Sequence, residues 1–320
     1  MIEELQKYKS DQLTDIKITE VQINLSNGMC IAGKWWGNLE KKPILCLHGW
    51  QDNAGTFDRL IPLLPKEFSY LAIDLLGHGR SSWLPRGVPY NLFDNVYTII
   101  YIMKEYNWQS ISILGHSMGG AIAFLFSIMF PDKLDCLVTI EFGKNPDRSD
   151  IERIMDARDN ILNFIVLDEK SQAISEPPSY SLEEMIEKVH VGSFGNITPE
   201  SAPYILERNI KKSLKVPGKY FFSRDPRLRN LILTPHPENL TLCGAKNMTA
   251  PYLFLYSPES PLFAKEFFFD QFLEASQENS KFQQVLVDSE SHHYHLNEVE
   301  KISEVVAKFL IENQKVIHHL

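Results

Sequence analysis

Polar and apolar residues alternate along DIKITEVQINL (15–25), the period-two pattern of a strand buried on one face. NGMCIAGKWWG (27–37) follows a turn and is placed to pair with it as a hairpin. PILCLHG (43–49) and YLAIDLLGHG (70–79) are short apolar runs that end in glycine-containing loops, the pattern of fully buried strands. TFDRLIPLLP (56–65), between them, has helical spacing and stops at Pro65, and NLFDNVYTIIYIMKEYN (91–107) reads as a longer amphipathic helix. The alternation continues with the strand SISILGHS (110–117), the helix MGGAIAFLFSIMF (118–130) ended by Pro131, and the strand LDCLVTIEF (134–142).

The pattern then changes. RSDIERIMDARDNILNFIV (148–166), SLEEMIEKVH (181–190) and TPESAPYILERNIKKSL (198–214) are polar and helical, with no buried-strand run among them. The basic run NIKKSLKVPGK (209–219) reads as a solvated helix face. Strand and helix alternate again in APYLFLYS (250–257), PLFAKEFFFDQFLEASQ (261–277), FQQVLVDS (282–289) and NEVEKISEVVAKFLIEN (297–313). Eight strand-like runs with intervening helices predict a mostly parallel eight-stranded sheet covered on both faces. The expected organisation is an α/β core over residues 1–144 and 220–320, interrupted by a helical cap at 145–219.

Composition narrows the function classes. The chain has 320 residues, 44% of them hydrophobic, enough for one large core or two modest ones. Its net charge of -9 disfavours nucleic-acid binding and adhesion to anionic membranes, which need clustered Lys and Arg. The four cysteines (30, 46, 136 and 243) show no paired spacing that would suit zinc or a redox couple. The longest apolar run, AIAFLFSIMF, is about half a membrane span. No secretory leader is evident in MIEELQKYKSDQ, so the triplets at Asn196, Asn239 and Asn247 read as chance matches to the glycosylation signal. A cytoplasmic protein is expected; the final HHL shares only its Leu with the peroxisomal signal, which leaves that compartment a weak alternative.

The chemistry-bearing stretch is LGHSMGG (114–120), which contains G-x-S-x-G around Ser117. With a strand before it and a helix after it, this spacing makes a sharp turn that lifts the Ser117 hydroxyl clear of the sheet. The flanking glycines let neighbouring backbone approach, and the helix start favours developing negative charge. An acyl-transfer intermediate needs two backbone N–H groups aimed at its oxyanion. Met118, after the nucleophile, and Trp50, in the LCLHGW loop after an earlier strand, are the expected donors. His48, His78 and His116 read as hydrogen-bonded organisers of these loops. A serine also needs a base. His292, first of the three histidines in DSESHHYHLNE and directly after the last core strand, is the expected one, ahead of His295. A metal site built on these histidines finds no evident carboxylate or cysteine co-ligand, and no cofactor is implied. The acid that orients the base should lie between Ser117 and His292. Glu141, ending LVTIEF, and Glu259, in LYSPESPLF, both fit.

LCLHGWQDNAGTFDRLIPLLP, AIDLLGHGRSS, ILGHSMGG and FFSRDPRL together resemble the serine hydrolase-like, or kraken-like, family of the α/β-hydrolase fold. The likeness is strong over residues 18–142, thinner over 220–315 and loose in the cap. It implies Ser117 as nucleophile and His292 as base, although Ser291 stands where a glycine is usual before the histidine. Many relatives carry an Asp where this chain has Ser260, with Glu259 one place early. Others carry the acid after the preceding strand, at Glu141, which is therefore preferred.

The leading functional expectation is a cofactor-free carboxylesterase-type hydrolase acting on a small-molecule ester or thioester through an acyl-enzyme. Amides and lactones stay open as substrates, as does the oligomeric state. Dehalogenase and epoxide-hydrolase chemistry on this fold needs a carboxylate nucleophile, and Ser117 argues against it. The alternative is a catalytically weak protein that binds an apolar small molecule in the same pocket, for which Phe221 and Phe222 are candidate lining residues. FFSRDPRLR contains Arg224, Asp225 and Arg227: on one reading Arg224 binds a substrate anion, and on the favoured one these charges form an ion pair that fastens the cap's return to the core.

Overall fold

The protein was analysed as a computed structural model, which describes residues 2–9, 16–142, 150–171, 176–230, 238–260 and 267–314. The expected boundary at 144/145, the first residues of the helix expected from 261, and the terminal HHL lie outside them.

The strands of the main sheet are β1 (Ile18–Asn24), β2 (Cys30–Trp36), β3 (Ile44–Leu47), β4 (Tyr70–Ile73), β5 (Ile111–His116), β6 (Leu134–Ile140), β9 (Tyr252–Tyr256) and β10 (Phe282–Leu286). Short strands β7 (Ile210–Lys212) and β8 (Tyr220–Phe222) form a separate antiparallel hairpin. The eight strands run in the order β1-β2-β4-β3-β5-β6-β9-β10, antiparallel at β1/β2 and β2/β4 and parallel elsewhere. The helices are α1 (Ile2–Gln6), α2 (Leu92–Glu105), α3 (Met118–Met129), α4 (Asp150–Ser171), α5 (Leu182–Gly192), α6 (Ala202–Asn209), α7 (Glu238–Asn247), α8 (Phe267–Gln277), α9 (Tyr294–Asn297) and α10 (Glu300–Asn313).

Alternation within each strand divides the core in two. In β3, Leu45 and Leu47 point into one cluster with residues of α2, α3 and α8, and Ile44 and Cys46 into another with residues of α10. Burial on both faces is why β3 (ILCL) has no polar position. A third cluster, with Met185, Ile205 and Tyr220, belongs to the segment between β6 and β9, and Leu5 and Leu296 join it.

Two expectations change in detail. TFDRLIPLLP forms two single 3-10 turns, Ala54–Phe57 and Ile61–Leu63, instead of one helix. Pro62 and Pro65 remove the amide donors a continuous helix would need. The helix expected through Leu214 ends at Asn209; Ile210 buries itself against the third cluster, Lys211 and Lys212 stay exposed, and the chain turns back through Gly218, φ 75°, to pair with β8. The basic run is thus a hairpin edge and not a helix face.

The segment between β6 and β9 is fastened to the sheet by charge. Arg208, buried at the end of α6, donates to both oxygens of Asp74 beyond β4 and to Glu20 on β1. Burial works against the Asp74 charge, and Arg208 more than offsets it, so the carboxyl stays below its ordinary range.

Candidate active site

The carboxyl ends of β3, β5 and β6 converge on one edge of the sheet, and each is followed within a few residues by strained backbone. Gln51, Ser117 and Glu141 have φ of 63°, 51° and 54°. A non-glycine residue there costs on the order of 1–3 kcal/mol and persists only where the surroundings impose it. At Ser117, with ψ -117°, the chain leaves β5 and enters α3 directly, and its amide donates to Ile140 O at 2.9 Å. The turn has no room for side chains beside it. A Cβ on Gly119 would lie 2.1 Å from Leu47 O, and one on Gly49 would lie 3.3 Å from Ser117 Cβ. The loop carrying Trp50 therefore runs against the turn carrying Ser117 and Met118.

Two imidazoles hold that loop. His48 Nδ1–H donates to Gly49 O at 2.7 Å and its Nε2 accepts from the Leu75 amide at 2.9 Å. His78 Nδ1–H donates to Leu76 O at 3.0 Å and its Nε2 accepts from the Gln51 amide at 3.1 Å. Each ring spends both nitrogens on backbone, as loop organisers do. Burial keeps both neutral, His78 pushed down to about 3.

His292 lies in the loop between β10 and α9, 5% exposed. Its Nδ1 is 3.3 Å from Glu141 Oε2. The other Glu141 oxygen accepts from the Ser257 amide at 2.6 Å, so the carboxylate is held from both sides. This contact leaves His292 Nε2 with a free lone pair. Burial pulls the His292 pKa down, the Glu141 contact pulls it up, and the net position is below the usual 6.5. Glu259 is exposed and makes no contact with His292 among the described residues. His116, the residue before Ser117, donates from Nε2 to His292 O at 3.0 Å, which ties the nucleophile turn to the histidine loop. The Ser117 hydroxyl itself has no hydrogen bond to a described residue, and such contacts often tighten only when substrate binds.

Sequence reasoning missed three contributors. Asn196, between α5 and α6, accepts the His292 amide on Oδ1 at 2.9 Å, while its carbonyl accepts from Ser291 Oγ and Asn297 Nδ2. Its side-chain amide is thereby committed to structure, donating to Ser193 O. Ser257 supplies the amide that fixes Glu141. Asp52, in the Trp50 loop, sits at 3.3 Å from His293 Nε2 and 3.7 Å from His116 Nδ1. Thr56 Oγ1 bridges Asp52 and His295 Nε2 at 3.3 and 2.8 Å. The carboxylate co-ligand that the histidine cluster lacks in sequence is thus present in space: Asp52, His116 and His295 each offer a ligand atom, all within 4.8 Å of one another and buried. Burial opposes the Asp52 charge, yet its neighbouring imidazoles hold the carboxyl well below the usual range. Burial drives His116 down to about 3 and His295 well below 6.5, so both rings are neutral at pH 7. No short-range signal announces this cluster, because Asp52, His116 and His295 come from three distant parts of the chain.

The ion pair expected in FFSRDPRLR joins Asp225 to Arg227 and leaves Arg224 out. Asp225 takes Arg227 at 2.7 Å and the Tyr90 hydroxyl at 2.7 Å, and Arg227 reaches on to Asp168 of α4 at 3.1 Å. Among the described residues no helix is long and apolar enough to cross a membrane.

The family description "alpha/beta hydrolase fold" matches residues 42–287. A probable serine hydrolase of Drosophila melanogaster is 33% identical over 287 residues, 88% of this chain and 85% of the relative. A serine hydrolase-like protein of Danio rerio is 32% identical, covering 88% of this chain and 85% of its own. The crystal structure of a hypothetical protein from Pseudomonas aeruginosa superposes with a TM-score of 0.74 at 26% identity, over 92% of this chain and 98% of that one. With the eight-stranded sheet and the serine turn at its edge, these likenesses mean that the chain belongs to the α/β-hydrolase fold and, within it, to the serine hydrolase-like family.

Proposed function

We propose that the protein is a serine hydrolase that cleaves carboxylic esters or thioesters through an acyl-enzyme. The observation that carries this reading is the Ser117 turn, strained at φ 51°, beside a buried His292 paired with Glu141. In the first half-reaction His292 Nε2 takes the Ser117 proton as Oγ bonds to the carbonyl carbon, and the carbonyl electron pair moves onto oxygen. The Trp50 and Met118 amides receive that oxyanion. Its collapse breaks the bond to the alcohol or thiol, which leaves with the proton from His292. Water then repeats the sequence on the acyl-Ser117 ester and releases the acid. Glu141 holds the imidazole with Nδ1 protonated and stabilises its transient cation. The described helices between β6 and β9 act as a cap over this edge, anchored by Arg208 and touching the base loop through Asn196.

The relatives named as serine hydrolases support the class. The choice of ester or thioester over other acyl substrates rests on the chemistry of the site. A second reading, a binding protein of low catalytic power, draws on the open contact between Ser117 and His292. A fluorophosphonate probe separates the two. Covalent labelling of the wild type that disappears in Ser117→Ala supports the hydrolase, and a folded wild type that takes no label supports the binder.

A further inference from the structure

Among the described residues Arg224 is a cation left without a hydrogen-bonding or ion-pair partner. Its side chain is largely withdrawn from water, with the guanidinium 4.8 Å from the centre of the Phe222 ring, yet it makes no hydrogen bond or ion pair with any described residue. Asp225 beside it is fully engaged by Arg227 and Tyr90. Arg229, the nearest cation to act on it, is likewise without a polar partner among the described residues, so like charges face each other here. Burial, and then Arg229, push the Arg224 pKa down to about 10; it remains charged at neutral pH, held at a cost.

The backbone shows where this charge sits. Ser223 N–H donates to Asn209 O at 2.7 Å and Asp225 N–H to Gly77 O at 2.9 Å, which pins Arg224 between the cap and the loop after β4. Asn209 Nδ2 donates to Gln51 O at 3.3 Å, and the Trp50 indole N–H donates to Leu228 O at 2.7 Å. The 223–228 stretch thus wraps the Trp50–Gln51 loop, whose backbone adjoins Ser117. The charge of Arg224 acts on His78 and Asp52, both of which contact that loop. Asp52 offsets part of that charge from a distance without bonding to the guanidinium; its contacts are with His293, Thr56 and His116.

We infer that Arg224, with the exposed Arg229 nearby in the chain, forms an anion subsite beside the Trp50 loop and the Ser117 turn, and that the substrate is an ester or thioester whose acyl chain carries a second, free carboxylate. A planar guanidinium fork matches a carboxylate in two parallel hydrogen bonds, and a desolvated one discriminates strongly against a neutral group in the same place. The inference rests on the hydrolase reading for the word substrate, but not for the binding.

Two experiments keep the two readings apart. In the first, kcat/KM is measured for 4-methylumbelliferyl monoesters of adipic and suberic acid and for the same esters with the free carboxylate capped as a methyl ester. The free acid should be preferred by about tenfold or more in the wild type, the size expected for a charge-assisted hydrogen bond. That ratio should collapse toward one in Arg224→Gln and keep an intermediate value in Arg224→Lys, which retains the charge without the fork. Arg229→Gln should lower it only a few-fold, and it serves as the test if Arg224→Gln fails to fold. In the second, calorimetry compares monomethyl and dimethyl adipate binding to Ser117→Ala and to Ser117→Ala/Arg224→Gln. Tighter binding of the monoanion that depends on Arg224 upholds the subsite even if the wild type proves inert, in which case only the hydrolase reading falls. Turnover with no preference for the free acid, or a preference untouched by Arg224 and Arg229 substitution, overturns the subsite and leaves the hydrolase standing.

Discussion

In the proposed mechanism Glu141 is the acid that orients His292. Its backbone is strained at φ 54°, and one of its oxygens is already taken by the Ser257 amide. Rotation of the carboxylate is thereby blocked and Oε2 stays aimed at His292. Glu141→Gln should lower kcat/KM on the order of 10³–10⁴-fold, while Glu259→Gln, on an exposed loop, should leave it near wild type. The opposite pattern would reassign the acid. The pH profile gives a second reading. His292 works only when neutral, and its pKa lies below 6.5, so the wild-type rate should fall as pH drops through a midpoint below 6.5. Glu141 is what raises that pKa against burial. In Glu141→Gln the residual acidic limb should therefore move to still lower pH, and a limb that moves upward would contradict the assignment. Ser117 was legible from sequence because its constraints are local: five residues, two glycines, a strand before and a helix after. The choice between Glu141 and Glu259 was not, because it depends on which strand end comes within hydrogen-bond reach of a loop 151 residues away.

Strands and long helices follow the hydrophobic pattern closely, since burial on two faces or one stripe dictates composition. What the pattern does not carry is contact between elements. Asn196 belongs to the α5–α6 connection and reads in sequence as a turn residue, yet its side chain takes the amide of His292 and its carbonyl takes Ser291 Oγ and Asn297 Nδ2. Asn196→Ala would leave that amide unsatisfied and loosen the base loop. We expect kcat to fall about tenfold with KM little changed, and wild-type-like fluorophosphonate labelling of Ser117 at long exposure. A change confined to KM would mean that Asn196 serves the pocket and not the base. The same limit explains TFDRLIPLLP: its spacing is helical, but two prolines break it into single turns whose task is to pack Phe57 and Ile61 against the sheet.

Across the whole molecule, the buried rings of His48, His78, His116 and His295 are kept neutral, His78 and His116 down to about 3. In the unfolded chain each would take up a proton near pH 6.5. Between that value and their folded values the unfolded state binds more protons, so stability falls as the pH falls, at about 1.4 kcal/mol per pH unit for each proton. Urea midpoints should therefore drop steeply from pH 7 to pH 4.5, and a flat profile would show that these rings are charged or exposed in solution. One further property comes from the indole at position 50. It is 41% exposed, and its N–H donates to Leu228 O, where the proposed oxyanion loop meets the arginine-bearing stretch. The molecule thus carries an optical gauge at its own doorway: emission from Trp50 should change in colour and intensity as a ligand fills the cavity, and Trp50→Phe should silence that signal, so occupancy can be followed by light before any turnover is seen.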